Sequence, residues 1–211
     1  MIKNIIFDLG GVIYDIRYEN IAEAFIRLGA GNLVSLYSKA KQTDFIDRYE
    51  EGLISSDVFC EEIRHVSGIP LTNEQIKEAW NAILIDVPAP RVEFLLKLKE
   101  NYNLYLFSNT NQFNYDCFTA HLNQKYGFDF FANIFKTAYF SHILHIRKPK
   151  EEGFQRILQE QGLKADETLF IDDSPQHIEG ARKCGLQTYH LKDGERIEEG
   201  ILKVFSVSLQ N

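Results

Sequence analysis

Four short apolar runs, separated by helical patterns, constrain the fold of this chain more than any other feature of its sequence. They span residues 4–9, 103–109, 168–173 and 187–192, and a weaker fifth candidate spans 133–141. Apolar and polar residues do not alternate cleanly within these runs, which indicates strands that are covered on both faces of a parallel sheet. The order of strands and helices therefore predicts an α/β fold with a doubly wound, mainly parallel sheet.

Helical patterns lie between the later runs. Residues 91–102 and 150–162 carry apolar side chains at helical spacing. Residues 174–185 open with Ser174 at the expected N-cap and Pro175 at the first helical position. These three segments are the predicted helical cover of the sheet.

Residues 16–86 break this alternation. They contain three amphipathic helical patterns, one of which begins with a capping box from Thr72 to Gln75, and they contain no strand signal. We therefore predict an all-helical insertion over residues 16–86, and a core formed by residues 1–15 and 87–211.

Composition narrows the classes of partner. The 211 residues carry a formal net charge of −7 with no dense basic block, so nucleic acid is not an expected partner. The N-terminus lacks the apolar stretch of a signal peptide, and no apolar run approaches the roughly 18 residues of a membrane span. Cys60, Cys117 and Cys184 are odd in number and widely spaced, which is typical of reduced thiols. We therefore expect a cytoplasmic protein without a membrane partner.

Polar residues follow the ends of the predicted strands, or precede the helix at residue 150. They are Asp8, Ser108, Asn109, Lys148, Asp172 and Asp173. Ligands of parallel sheets bind beyond the carboxyl ends of the strands, so these side chains are expected to meet at one edge.

This combination of groups suits phosphoryl transfer. The Asp8 carboxylate can attack phosphorus, and Mg²⁺ can be shared by Asp8 and Asp172. Ser108 can donate a hydrogen bond to a phosphoryl oxygen, while the Lys148 ammonium offsets negative charge in the transition state. Backbone N–H groups around Gly10 and Gly11 can approach a phosphate closely, because these residues have no Cβ.

Four motifs together resemble the haloacid dehalogenase-like hydrolase superfamily. They are "IIFDLGGVIYD", "LFSNTN", "RKPK" and "FIDDSPQHIEGA", and they occur in the order that is typical of that superfamily. Within it, the motifs are similar to those of sugar-phosphate phosphatases related to the α-glucose-1-phosphate phosphatase, and to those of the epoxide-hydrolase N-terminal-like group. The resemblance implies a Rossmann-like core with a helical cap, and hydrolysis of small phosphorylated metabolites through an aspartyl phosphate.

The resemblance also implies roles for individual residues. Asp8 is the expected nucleophile, and Lys148 supports catalysis. Phosphate is expected to contact Ser108, Asn109, Lys148 and Gly11. Magnesium is expected to bind Asp8, the backbone carbonyl of Gly10, and Asp172, with Asp173 in support.

The chain departs from the superfamily pattern at two positions. Gly10 stands where the phosphatases usually carry a second Asp, the general acid and base, and His177 stands where Asn is frequent. Two alternatives therefore stay open: a phosphate-binding or regulatory protein with little turnover, and a metal-free dehalogenase, against which the acidic pair argues. A signalling receiver domain is disfavoured, because its acidic pair follows the first strand.

Other residues carry weaker signals. Aromatic and basic side chains in and near the insertion could face a substrate, although core or surface packing is the more common role; these are Tyr14, Arg17, Tyr18, Tyr49 and Trp80. His142 and His145 lack a third ligand at zinc spacing.

Overall fold

The main sheet of the protein has five parallel strands in the order β5–β4–β1–β6–β7. The computed structural model describes residues 1–36 and 44–201. Its strands in chain order are β1 (Asn4–Phe7), β2 (Asp15–Ile16), β3 (Leu84–Asp86), β4 (Asn103–Ser108), β5 (Thr137–Phe140), β6 (Thr168–Asp172) and β7 (Gln187–His190). The predicted doubly wound α/β sheet is thus confirmed, and the weaker fifth candidate is a strand only over Thr137–Phe140.

Helices cover this sheet and fill the insertion. In chain order they are α1 (Glu19–Arg27), α2 (Asp44–Glu50), α3 (Ser56–Ser67), α4 (Asn73–Asn81), α5 (Ala89–Leu98), α6 (Gln112–Tyr126), α7 (Phe130–Ile134), α8 (Ser141–Leu144), α9 (Glu151–Glu160) and α10 (Pro175–Lys183), with short 3₁₀ helices at Gly31–Leu36 and Ala165–Glu167. The three helices predicted for the core are α5, α9 and α10. No helix among the described residues is long and apolar enough to cross a membrane.

Both faces of the sheet are buried. Ile5 and Phe7 of β1 join one apolar cluster, whereas Ile6 between them joins a second cluster on the opposite face. The same alternation in β6 sends Ile171 to the first cluster and Phe170 to the second. Neighbouring side chains of a strand point to opposite faces, so an uninterrupted apolar run is what a doubly covered strand requires.

The insertion has its own apolar cluster, built around Phe59 and Trp80 and separate from the two clusters of the sheet. The predicted capping box is present, because Thr72 Oγ1 accepts a hydrogen bond from the Gln75 N–H and the Gln75 side chain accepts one from the Thr72 N–H. The expectation of no strand over residues 16–86 is wrong. β2 and β3 pair antiparallel where the insertion leaves and rejoins the core, and strands of two and three residues are too short to produce a periodic pattern.

Helix α6 had no clear pattern in the sequence. Its buried side chains pack into two different apolar clusters. Phe113 packs into the cluster of the insertion, while Phe118 and Leu122 pack into the sheet core. A helix that is buried on two sides has no single apolar stripe, which is the signal that sequence patterns detect.

Candidate active site

The predicted polar residues meet at the carboxyl edge of the sheet, around the Lys148 ammonium. Lys148 Nζ lies 2.8 Å from Asp8 Oδ1 and 2.7 Å from Asp172 Oδ2, and its side chain is fully buried. The sheet register explains why the two carboxylates are neighbours. Phe7 pairs with Ile171, so the next residue on each strand is an aspartate.

Two aromatic rings and one amide hold Lys148 in place. Its ammonium lies 5.7 Å from the ring centroid of Phe107 and 5.5 Å from that of Phe170, both at distances of cation–π contacts. The Asn109 side chain binds the Lys148 backbone twice: its Nδ2 donates to the carbonyl at 2.9 Å, and its Oδ1 accepts from the N–H at 2.8 Å. Asn109 also lines the cavity, so its expected contact with phosphate stays a prediction, while its amide positions Lys148.

The two oxygens of Asp8 have different surroundings. Oδ1 accepts a hydrogen bond from the Leu9 N–H at 2.6 Å and also contacts Lys148. Among the described residues none hydrogen-bonds to Oδ2, and Asp8 lines a cavity of about 120 Å³. Asp8 therefore has one anchored oxygen and one oxygen available for a ligand.

The acidic pair after β6 is divided between two environments. Asp172 is fully buried, and its oxygens accept hydrogen bonds from Lys148, from the Ser174 N–H at 2.8 Å and from His177 Nδ1 at 3.0 Å. Asp173, by contrast, lies on the cavity wall with Asp8 and Gly10. Asp173 therefore lines the cavity, while the expected roles of Asp172 as a metal ligand and of Asp173 in support stay predictions.

Charge in this cluster is unbalanced. Burial raises the pKa of the Asp8 carboxyl, Lys148 opposes this effect, and the nearby Asp172 and Asp173 add to the rise, so that the pKa lies well above its usual value. Burial also raises the pKa of Asp172, but Lys148 and His177 outweigh it and hold the pKa below its usual value. Burial lowers the pKa of Lys148, yet the two carboxylates leave it raised. The Lys148 ammonium is shared by several carboxylates, and a further cation would reduce the repulsion between these carboxylates.

Atoms that could hold such a cation are close together. Asp8, Asp172 and His177 each offer a ligand atom, and these atoms lie within 4.8 Å of one another. Carboxylate oxygens and backbone carbonyls suit Mg²⁺, and Gly10 and Asp173 lie on the same cavity wall as Asp8. The donor set therefore fits a hard divalent cation.

Gly11 has a role that differs from the expected one. Its N–H donates to the Tyr14 carbonyl at 2.9 Å, so this group is not available to a phosphate. The residue adopts φ +77°, and a Cβ at this position would lie 2.3 Å from Asp173 Oδ2. Glycine is required here because the chain turns in a left-handed conformation and passes directly beside the Asp173 carboxylate.

The cavity is also lined by residues that were not among the candidates predicted from the sequence. Ser108 lines the cavity, and Tyr18 and Glu50 of the insertion line it together with Arg147 of the core. Tyr18 was considered only as one of several aromatic candidates, and Glu50 and Arg147 were missed. They lie 97 positions apart in the sequence, and no local pattern links them. Tyr49 and Trp80 are buried in the cluster of the insertion.

Comparison with known proteins identifies the family. A model of haloacid dehalogenase-like hydrolases matches residues 2–185. The chain belongs to the haloacid dehalogenase-like hydrolases. It is 32% identical over 196 residues to the D-ribitol-5-phosphate phosphatase of Bacteroides thetaiotaomicron, with 92% of this chain and 94% of that protein covered. It is also 24% identical to the sesquiterpene phosphatase astK of Aspergillus oryzae, with 90% of each chain covered.

Solved structures of this hydrolase family agree with the fold. A family enzyme from Bacteroides thetaiotaomicron in complex with magnesium and inorganic phosphate superposes with a TM-score of 0.84 at 33% identity, covering 92% of this chain and 96% of that one. A predicted family hydrolase from Porphyromonas gingivalis gives 0.83 at 28% identity, covering 97% and 98%. The L-2-haloacid dehalogenase of Xanthobacter autotrophicus gives 0.62 at 19% identity, covering 90% and 78%, which indicates a shared fold alone.

Proposed function

We propose that this hydrolase is a Mg²⁺-dependent phosphatase that acts on small phosphorylated metabolites, with sugar or polyol phosphates as the substrate class. The observation that carries the proposal is the Asp8 carboxylate, which lines the cavity and whose Oδ1 is anchored by Lys148 and the Leu9 N–H. The related ribitol-phosphate phosphatase and the relative bound to magnesium and phosphate support it.

Asp8 and Lys148 carry the proposed reaction. Asp8 Oδ2 forms a bond to phosphorus as the bond between phosphorus and the ester oxygen breaks, and the ester oxygen takes a proton from a solvent water as the alcohol leaves. Water then attacks phosphorus, releases inorganic phosphate and restores the carboxylate. The Lys148 ammonium stabilises the charge that develops on the phosphoryl oxygens, and Ser108 donates a hydrogen bond to one of them.

The metal would bind Asp8, the Gly10 carbonyl and the acidic pair. Asp173 is the member of that pair on the cavity wall, and Asp172 acts mainly as the counter-ion of Lys148. When bound, Mg²⁺ supplies positive charge that reduces the repulsion between the Asp8 carboxylate and an anionic substrate.

A direct assay tests this proposal. The purified protein should hydrolyse p-nitrophenyl phosphate and sugar phosphates with Mg²⁺, lose that activity in excess chelator and regain it when Mg²⁺ is restored. Asp8→Asn is nearly isosteric, so it should keep the fold and lose turnover. Activity in a folded Asp8→Asn variant would contradict the role of Asp8. Phosphate binding without turnover would favour the regulatory alternative, and metal-independent release of halide from 2-haloacids would favour the dehalogenase.

A further inference from the structure

Two oppositely charged side chains from different parts of the chain meet on the wall of the active-site cavity. Glu50 ends α2 in the insertion, and Arg147 immediately precedes Lys148 in the core. Arg147 Nη2 lies 2.9 Å from Glu50 Oε2, and their side chains are only 19% and 7% exposed. Both residues line the cavity that contains Asp8.

From this position we infer that Glu50 and Arg147 select the substrate of the proposed phosphatase. They favour a neutral, hydroxyl-rich leaving group over an apolar one and over one that carries a second anionic group. This inference rests on the proposed function and specifies its substrate class.

The cost of burying such a pair supports a role beyond stability. Removing two charges from water is expensive, and well-packed apolar residues of similar volume often stabilise a protein as well or better. An apolar leaving group would offer neither side chain a hydrogen bond in place of water. Sugar hydroxyls, in contrast, both donate and accept hydrogen bonds, so they can bind the guanidinium N–H groups and the carboxylate oxygens together.

The charges of the described residues around Arg147 disfavour a second phosphate site. Arg147 also pairs with Asp47 one turn earlier in α2, so two carboxylates surround one guanidinium. Within the described part of the chain, this group therefore has one more carboxylate than guanidinium. A carboxylate or second phosphate on the leaving group would be repelled there, whereas a neutral polyol would not.

Tyr18 extends this polar wall toward Asp8. Burial, followed by the negative charges of Asp173, Asp8 and Glu50, raises the pKa of the Tyr18 phenol. Tyr18 lines the same cavity as Glu50, Asp8 and Asp173. A hydroxyl-rich leaving group attached to a phosphate at Asp8 would meet a hydrogen-bond donor at Tyr18. It would meet an acceptor at Glu50 and further donors at Arg147.

Backbone contacts fix Glu50 against the core. Ser141 Oγ donates to the Glu50 carbonyl at 2.6 Å and accepts from the Thr110 N–H at 2.9 Å. The next residue, Glu51, pairs with Lys150, and its carbonyl contacts His145 Nδ1 at 2.9 Å. Because these contacts do not involve the Glu50 carboxylate, Glu50→Gln should change its charge without moving the helix end.

The experiment compares Glu50→Gln with wild type on three substrates in saturating Mg²⁺. They are D-ribitol 5-phosphate, p-nitrophenyl phosphate and 6-phosphogluconate, which carries a second anionic group. Glu51→Gln is the matched control, because Glu51 is adjacent and buried but does not line the cavity. Thermal melting confirms that each variant is folded.

We expect kcat/KM for D-ribitol 5-phosphate to fall about ten-fold or more in Glu50→Gln, mainly through KM, since a hydrogen bond to a charged group is lost. The value for p-nitrophenyl phosphate should stay within about two-fold, the value for 6-phosphogluconate should rise, and Glu51→Gln should resemble wild type.

An equal loss on all three substrates, or no loss on the polyol ester, would overturn the inference while leaving the phosphatase proposal intact. Failure of the wild type to hydrolyse any of the three in Mg²⁺ would instead refute the proposed function, and the inference with it.

Discussion

Replacing Lys148 by Met tests the charge balance of the site. Methionine has a similar length and shape but no charge, so the change removes the ammonium that contacts Asp8 at 2.8 Å and Asp172 at 2.7 Å. Both carboxylates are buried, and removal of one partner from a buried ion pair typically costs about 3–5 kcal/mol. For a chain of this size, such a loss lowers the melting temperature by about 6–20 °C.

The assay is thermal melting in chelator and then in excess Mg²⁺, at pH 7. Magnesium should stabilise Lys148→Met more than wild type, because the variant has lost the ammonium that Asp8 and Asp172 share. Turnover should fall by about 10²-fold or more, as expected when an electrostatic stabiliser of the transition state is removed. The destabilisation should shrink as the pH falls, since protonation removes the repulsion between the carboxylates.

Lys150→Met is the matched control. Lys150 pairs with Glu51, but its side chain is 54% exposed, so its loss should cost no more than about 1 kcal/mol. The reasoning would be refuted if Lys148→Met and Lys150→Met melted within about 2 °C of each other in chelator, because Lys148 would then not neutralise a buried pair.

Three further substitutions give sharp expectations. Gly11→Ala should destabilise the protein by about 1–3 kcal/mol in urea denaturation and displace Asp173, because φ is +77° and the new Cβ would lie 2.3 Å from Asp173 Oδ2; unchanged stability would contradict this. Gly10→Asp should be tolerated, since φ is not left-handed and the atom nearest to the new Cβ would be Ile16 Cδ1, the end of a flexible side chain, at 3.1 Å. It should raise the rate on a hexose 6-phosphate more than on the 1-phosphate, because an added acid helps a poor leaving group most; equal wild-type rates on the two esters would show that the missing acid is already replaced. His142→Phe tests a buried imidazole whose pKa burial lowers to about 4. Stability from neutral His142 is complete above its unfolded pKa of about 6.5 and is lost as the pH falls toward 4, so wild type should lose about 3 kcal/mol more than the variant over that range; parallel pH profiles in urea unfolding would refute this.

The sheet and the meeting of the polar residues were predictable because they depend on short-range rules. Continuous apolar runs identify doubly covered strands, and the carboxyl ends of parallel strands share one edge. Asp8, Ser108 and Asp172 follow from those two rules, and Lys148 follows from the motif before α9. The contact of Asp8 and Asp172 with one ammonium is the outcome expected of that edge.

The different surroundings of Asp172 and Asp173 could not be predicted from the sequence of the acidic pair. Side chains two apart on a strand share a face, so Asp172 points to the same side as Phe170, over which Lys148 lies. The next residue, Asp173, leaves the strand and reaches the cavity wall. Without the register of β6 against β1, either carboxylate could be assigned either role. The pairing of Glu50 with Arg147 could not be predicted either, because Glu50 reaches the core only when the insertion is folded.

The two ends of the cavity differ in charge, and this difference defines the ligand that fits. At the sheet edge, Lys148 is already shared by Asp8 and Asp172, so the cavity-facing oxygens of Asp8 and Asp173 add negative charge that a divalent cation and a phosphate together would balance. Elsewhere on the cavity wall, Arg147 pairs with Glu50 and Asp47, so in this group of described residues the carboxylates outnumber the guanidinium that could attract a second anion. A ligand with a single phosphate at one end and neutral hydroxyls at the other matches both environments, whereas a bisphosphate matches only the first. The Glu50 carboxylate should therefore govern which alcohol leaves, and the Asp8 carboxylate should govern whether phosphate is transferred at all.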